Sequence, residues 1–204
     1  MHITGNSKLF IKICGLNSIE AIDSALSSGA DALGFVFANS PRKVSPTEAL
    51  SLCKNLPDTI IKVAVTKNPT KELFNEICNV FNPDWIQGEA DDVLLHQSEN
   101  RPLLLPVFRD NQPIKNKYPT RILFEGPNSG SSEIANWKKA SEIAGKTEVI
   151  LAGGLDLTNV EKAIRIVSPW GVDISSGVES APGIKDPKKI KDFINCVRII
   201  ERAK

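Results

Sequence analysis

The stretch EVILAGGLDLTNVEKAIRIVSPWGVDISSGVE, at residues 148–179, contains one complete unit of the predicted fold. An apolar run at 148–152 leads into a Gly-Gly turn, and a second apolar run follows at 172–175. Between them, apolar residues of 160–167 recur three and four positions apart, which predicts a helix with one apolar face. The order strand, turn, helix, strand is typical of a parallel sheet covered by helices.

The same alternation continues through the whole chain of 204 residues. Near-continuous apolar runs are typical of parallel strands that are buried on both faces. The predicted strands lie at 10–14, 32–37, 60–65, 84–87, 103–108, 121–125, 148–152 and 172–175. Eight strands match a single (β/α)8 TIM barrel over residues 1–204 better than a doubly wound sheet, which usually has fewer strands. Segment 109–119 contains two prolines and no apolar period, so we expect a loop in place of helix five.

Composition and charge exclude several classes of protein. No apolar run approaches the roughly 20 residues of a membrane span, and the N-terminus lacks the features of a signal peptide, so we expect a cytoplasmic protein. The net charge of +1 and the scattered basic residues give no support for nucleic-acid binding. The four cysteines are far apart and form no CxxC pair. A monomer and a homodimer are both compatible with this architecture.

Two glycine-bearing turns indicate a phosphate site. In (β/α)8 barrels the reaction site lies at the C-terminal ends of the strands, and phosphate commonly binds after strands seven and eight. LAGGLD at 151–156 and DISSGVE at 173–179 follow those two strands. Each turn alone could be only a tight connection, but the pair favours backbone N–H groups that bind a small phosphorylated substrate. Ser175 and Ser176 could add hydroxyl donors.

Three further side chains follow predicted strands and could carry chemistry. Cys14 ends strand one, where its thiolate could remove a proton, or where it could be a small core residue. Glu125 ends strand six, nearly opposite, where it could donate a proton or be a solvated loop carboxylate. Arg42 follows strand two, where its guanidinium could bind a carboxylate or phosphate, or lie on the surface. From position alone, each pair of alternatives stays open.

Five segments together resemble the phosphoribosylanthranilate isomerase family. They are KICG at 12–15, GADALGFVF at 29–37, SPRKVSP at 40–46, LAGGL at 151–155 and VDISSGVE at 172–179. The resemblance implies an Amadori rearrangement in tryptophan biosynthesis, in which N-(5-phosphoribosyl)anthranilate becomes 1-(2-carboxyphenylamino)-1-deoxyribulose 5-phosphate. It also implies that no cofactor or metal is required.

The resemblance assigns roles to individual residues. Cys14 matches the family's general base, and Glu125 stands where the family has an aspartate as general acid. Arg42 matches the arginine that holds the anthranilate carboxylate, and Asp173 matches a supporting carboxylate inside the barrel. The phosphate cradle is matched by Gly153, Gly154, Ser176 and Gly177.

Two departures from the family pattern leave alternatives open. Glu125 adds one methylene to the family's aspartate, and WIQG at 85–88 replaces the usual QLHG. One alternative is a barrel that binds phosphate ligands without catalysis or with altered specificity. Another is a related aminoaldose isomerase of the histidine pathway, which resembles two fused half-barrels with an aspartate after strands one and five. Here those strands end in Cys14 and Phe108.

Overall fold

A computed structural model describes residues 8–93, 102–113, 115, 117–128 and 133–203. Eight parallel strands pair in sequence order, and the first pairs with the eighth, so the sheet closes into a barrel. This confirms the predicted fold. The strands are β1 (Phe10–Cys14), β2 (Ala32–Val36), β3 (Ile61–Val65), β4 (Trp85–Glu89), β5 (Leu103–Arg109), β6 (Arg121–Glu125), β7 (Glu148–Leu151) and β8 (Gly171–Ile174).

Helices follow most strands and cover the barrel. They are α1 (Ile19–Ser28), α2 (Pro46–Leu52), α3 (Lys71–Glu76), α4 (Ala90–Val93), α5 (Trp137–Ala144), α6 (Val160–Val167) and α7 (Pro187–Arg202). A π-helical turn, Ile77–Phe81, continues α3, and a short 3₁₀ turn, Ser176–Val178, follows β8. A hairpin of β9 (Glu179–Ala181) and β10 (Ile184–Lys185) precedes α7. Among the described helices, none has both the length and the apolar character needed to cross a membrane.

Side-chain caps explain where several helices begin. The Ser18 side chain accepts from the Ala21 amide at the start of α1. Ser45 and Glu48 form a reciprocal capping box ahead of α2, which satisfies amides that have no partner within the helix. Gly29 ends α1 with φ of 92°, a left-handed conformation that glycine adopts without steric cost.

The connection between β5 and β6 contains no helix in its described part, as predicted; Ile114 and Asn116 lie outside the described residues. The predicted strand ends were wrong at two places that matter for the site. β4 continues to Glu89 and β5 continues to Arg109, so Arg109 belongs to a strand and not to the loop. Both residues have side chains that form ion pairs at the barrel mouth, and the apolar pattern did not extend to them.

Two apolar clusters lie on the two faces of the barrel sheet. The larger one packs the outward faces of the strands against the helices, and the α6 and α7 stripes are buried in it as predicted. The smaller one fills the barrel interior with Phe10, Ala32, Val63, Trp85, Leu105, Val107, Leu123, Ile150 and Ala152. Trp85 stacks on Phe10 with ring centroids 5.4 Å apart, so it belongs to this interior layer.

Candidate active site

Strand alternation places a polar layer directly above the apolar interior. Side chains two positions apart on a strand point to the same face. Stepping by two from the interior residues Phe10, Trp85, Val107 and Leu123 toward the C-terminal strand ends reaches polar side chains. These are Lys12, Cys14, Gln87, Glu89, Arg109 and Glu125. The mouth of the barrel is therefore lined by ionisable groups, whereas its lower part is apolar.

Cys14 lies beside a buried ion pair between the first and last strands. Lys12 and Asp173 are register partners on β1 and β8, and Lys12 Nζ donates to Asp173 Oδ1 at 2.8 Å. The Lys12 side chain is fully buried. A Cβ atom added to Gly34 would lie 3.0 Å from Cys14 Sγ and 3.1 Å from Lys12 Nζ. The thiol and the ammonium group therefore both lie against this glycine.

The charges around Cys14 act in opposite directions on its ionisation. Burial has the largest effect and raises the pKa of the thiol above its ordinary value; Lys12 lowers it, Asp173 raises it and Lys185 lowers it. Burial lowers the pKa of Lys12, but Asp173 and Cys14 outweigh burial and leave that pKa raised. Lys12 is thus an ammonium, and Cys14 rests as a thiol next to a positive charge that favours its thiolate.

Glu125 lies in an ion pair at the end of β6. Arg109 and Glu125 are register partners on β5 and β6, and Arg109 Nη1 lies 2.8 Å from Glu125 Oε1. The other side of the same guanidinium faces Glu89 on β4. Nε donates to Glu89 Oε2 at 3.2 Å, and Nη2 donates to Glu89 Oε1. A cleft of about 620 Å³ opens beside this cluster, between Lys67, Arg109 and Asn128.

Arg42 is held next to Cys14 by the hairpin that follows β8. Its Nε and Nη2 donate to the two carboxylate oxygens of Glu179 at 2.6 and 2.9 Å. Lys185 Nζ reaches Glu179 Oε1 at 2.6 Å. Burial raises the pKa of the Glu179 carboxyl, but the hydrogen bonds from Arg42 and Lys185 outweigh it and leave that pKa lowered. A Cβ atom on Gly15 would lie 2.5 Å from Arg42 Cδ, so the arginine crosses the chain directly after Cys14.

The two glycine turns pack against each other at the rim of the barrel. Gly153 and Gly154 have φ of 84° and 62°, which favour glycine. A Cβ atom on Gly153 would lie 2.8 Å from the Gly126 amide, and one on Gly177 would lie 2.1 Å from the Leu155 carbonyl. The turn after β8 thus contacts the turn after β7, and Ser176 begins the 3₁₀ turn in the same rim.

Gln87 contributes a buried polar atom to the mouth. Its side chain is largely buried, and its Oε1 has no hydrogen-bond partner among the described residues. A buried acceptor without a donor costs about 1–3 kcal/mol. Gln87 stands where the family pattern has histidine, and this acceptor is available to a ligand that enters from the strand ends.

Several residues of this layer were missed by sequence reasoning. Lys12 and Lys185 form buried ion pairs, Arg109 pairs with Glu125 from the neighbouring strand, and Glu89 pairs with Arg109. Lys12 carried a usable signal, because it is the one charged residue in the predicted strand at 10–14. Glu179 carried no such sequence signal, because its pairing with Arg42 depends on the hairpin that follows the barrel.

Comparison with known proteins shows the family of the chain. The family model described as N-(5'phosphoribosyl)anthranilate (PRA) isomerase matches residues 11–196. The N-(5'-phosphoribosyl)anthranilate isomerase of Streptococcus mutans is 38% identical over 193 residues, which cover 92% of this chain and 98% of that protein. The Pelobacter propionicus protein of the same name is 35% identical over 92% of this chain and 95% of its own length.

Solved structures show the same likeness. The phosphoribosyl anthranilate isomerase of Thermus thermophilus superposes with a TM-score of 0.82 at 25% identity and covers 94% of this chain and 99% of its own. The Thermotoga maritima enzyme gives a TM-score of 0.80 at 28% identity, with 94% and 99% covered. The chain belongs to the phosphoribosylanthranilate isomerase family.

Proposed function

We propose that this chain isomerises N-(5-phosphoribosyl)anthranilate to 1-(2-carboxyphenylamino)-1-deoxyribulose 5-phosphate in tryptophan biosynthesis. One observation in particular supports the proposal: in a barrel of this family, a buried thiol beside an ammonium group ends β1, and a carboxyl group ends β6. The rearrangement requires a base for the proton on the second sugar carbon and an acid for the ribose ring oxygen. The two strand ends supply one group of each kind.

Cys14 is the proposed base. Protonation of the ring oxygen by the acid opens the ribose and leaves an iminium C=N bond between the first carbon and the anthranilate nitrogen. Cys14 as a thiolate then takes the proton from the second carbon; that electron pair forms the C1–C2 double bond of an enolamine, and the C=N pair returns to nitrogen. The ketose forms when the first carbon gains a proton and the hydroxyl of the second carbon loses one. The Lys12 ammonium group favours the thiolate while Asp173 holds Lys12 in place.

Glu125 is the proposed acid, and it must carry a proton before it can act. In the resting arrangement Glu125 is paired with Arg109, whereas Cys14 is a thiol. The reactive arrangement has one proton on Glu125 and none on Cys14. It therefore differs from the resting arrangement by the position of a single proton.

Substrate groups are assigned to the remaining residues of the mouth. The proposed ligand of the anthranilate carboxylate is Arg42, whose bonds to Glu179 use Nε and Nη2 and leave Nη1 for a second carboxylate. The glycine turns after β7 and β8, with Ser176, are the proposed phosphate cradle. The proposed role of Asp173 is to hold Lys12 in place beside Cys14.

The wider setting of the protein follows from the proposed activity. The expected partner is a small phosphorylated substrate, with no role for nucleic acid or membrane, in the cytoplasm. Both oligomeric states stay open, since one structure of the Thermotoga maritima relative is described as monomers generated from a dimeric enzyme. Size-exclusion chromatography with light scattering separates a monomer of 22.2 kDa from a homodimer.

One observation favours a second candidate, a barrel that binds phosphate ligands without catalysis. The proposed acid is ion-paired with Arg109, and a paired carboxylate cannot donate a proton. The test is a spectroscopic assay of the wild-type protein with freshly prepared phosphoribosylanthranilate. Conversion to the ketose supports the isomerase. If no conversion occurs, the non-catalytic barrel is favoured, and turnover restored by Glu125→Asp would identify the added methylene as the cause.

A further inference from the structure

Arg109 lies between two carboxylates at the ends of three adjacent strands. Its strand, β5, is paired with β4 on one side and β6 on the other. Nε and Nη2 face the two oxygens of Glu89, whereas Nη1 faces Glu125. The Arg109 side chain is only 11% exposed, so these contacts are partly shielded from water. One guanidinium thus serves two carboxylates, with the bidentate contact reserved for Glu89.

The bidentate contact has a consequence for the proton on Glu125. If Glu125 gains a proton, Arg109 keeps its charge partner, because Glu89 still binds it through two atoms. The protonated Glu125 can still accept from Nη1 through its carbonyl oxygen. Arg109 therefore fixes the position of the carboxyl group in both protonation states, and no buried cation is left unpaired.

We propose that Arg109, anchored by Glu89, is the positioning residue for Glu125. The inference rests on the proposed function, in which Glu125 is the general acid. Glu125 has one more rotatable bond than the family's aspartate, and a catalytic group must be held within roughly 0.5 Å of its productive position. The guanidinium supplies a second attachment point near the end of the longer side chain. The Glu89–Arg109 contact thereby compensates for the added methylene.

The test compares kcat and KM in Arg109→Met, Arg109→Lys and Glu89→Gln. Loss of positioning is expected to lower kcat about 10- to 100-fold in Arg109→Met with KM unchanged, because the acid acts in the chemical step. Arg109→Lys is expected to recover part of kcat. Glu89→Gln is expected to lower kcat about tenfold, because Arg109 then loses its ionic anchor and holds Glu125 less firmly.

A matched control is available on the same sheet. Arg121 on β6 forms an ion pair with Glu148 at 2.7 Å at the opposite end of the barrel, where its guanidinium also lies 3.8 Å from the centre of the Trp170 ring. Arg121→Met removes one positive charge and its contacts without changing the mouth, so its kcat should equal that of the wild type. Circular dichroism and thermal melts of all variants establish that each is folded. If Arg109→Met does not fold, Arg109→Lys and Glu89→Gln carry the same test.

A double-mutant cycle separates positioning from a merely structural role. If Arg109 acts through Glu125, Arg109→Met has no further effect on kcat in the Glu125→Gln background. An unchanged kcat in Arg109→Met, or an equal loss with and without Glu125, overturns the inference. Turnover by the wild type is measured in the same series. If the wild type turns over the substrate but the effects of the two substitutions simply add, the positioning role is wrong and the proposed function stands. If the wild type does not turn over the substrate, both the proposed function and the positioning role are wrong.

Discussion

Lys12→Met tests how the buried ion pair between β1 and β8 supports both the fold and the proposed base. Methionine is of similar length, so the change removes the ammonium group and leaves Asp173 as an unpaired carboxylate inside the barrel. Removal of one partner of a buried pair costs about 3–5 kcal/mol. For a domain of this size, each kcal/mol lowers Tm by about 2–4 °C, so we expect a loss of roughly 6–20 °C.

The same substitution is expected to slow turnover through Cys14. Lys12 lowers the pKa of the thiol, so its removal raises that pKa further. At fixed neutral pH less of Cys14 is then present as thiolate, so kcat/KM should fall by about tenfold or more.

A double variant separates the two effects of Lys12→Met. Lys12→Met with Asp173→Asn removes both charges, which should recover most of the lost Tm. It should not restore turnover, because Lys12 influences Cys14 more strongly than Asp173 does. Thermal melts and initial rates are measured on the two variants and the wild type. Wild-type rates in the double variant, or an unchanged Tm in the single variant, would refute the reasoning.

Three further predictions concern the mouth of the barrel. Burial raises the pKa of Cys14. The part of the thiolate absorbance at 240 nm that disappears in Cys14→Ala should therefore titrate with a midpoint above 9.0, and a midpoint near 7 would contradict this. Because hydrogen bonds from Arg42 and Lys185 lower the pKa of Glu179, its ionised form stabilises the fold above the ordinary carboxyl value of 4.5, and this stability is lost as pH falls through the folded pKa. In urea unfolding, the free energy of unfolding of Glu179→Gln should be about 3–5 kcal/mol lower than that of the wild type at pH 7, and the difference should shrink at low pH. A difference that does not change with pH would contradict this. Gln87→Met removes an acceptor that has no partner among the described residues, so it should stabilise the free protein by about 1–3 kcal/mol while raising KM; a lower stability would show that Oε1 has a partner.

The barrel itself could be predicted because its strands are buried on both faces. Such strands are continuous apolar runs, and all eight were located from that feature, with β1 and β6 correct at both ends. The ends of β4 and β5 were placed too early because polar residues closed the apolar pattern. Those residues, Glu89 and Arg109, belong to the strands and pair with each other between adjacent strands at the mouth.

The contacts of the site could not be predicted because they depend on closure of the barrel. Lys12 and Asp173 are 161 residues apart and meet only because β1 pairs with β8. Arg42 and Glu179 are 137 residues apart and meet through the hairpin after β8. The positions of Cys14 and Glu125 followed from the rule for strand ends, whereas their electrostatic partners required the register.

The most direct test of the account is turnover of phosphoribosylanthranilate by the wild type and by Cys14→Ala, measured together. Cys14 is a small buried side chain, so alanine should preserve the fold, which a thermal melt checks. We predict conversion to the ketose by the wild type and no detectable conversion by Cys14→Ala at an unchanged circular dichroism spectrum. Full activity of Cys14→Ala would contradict the assignment of Cys14 as the base.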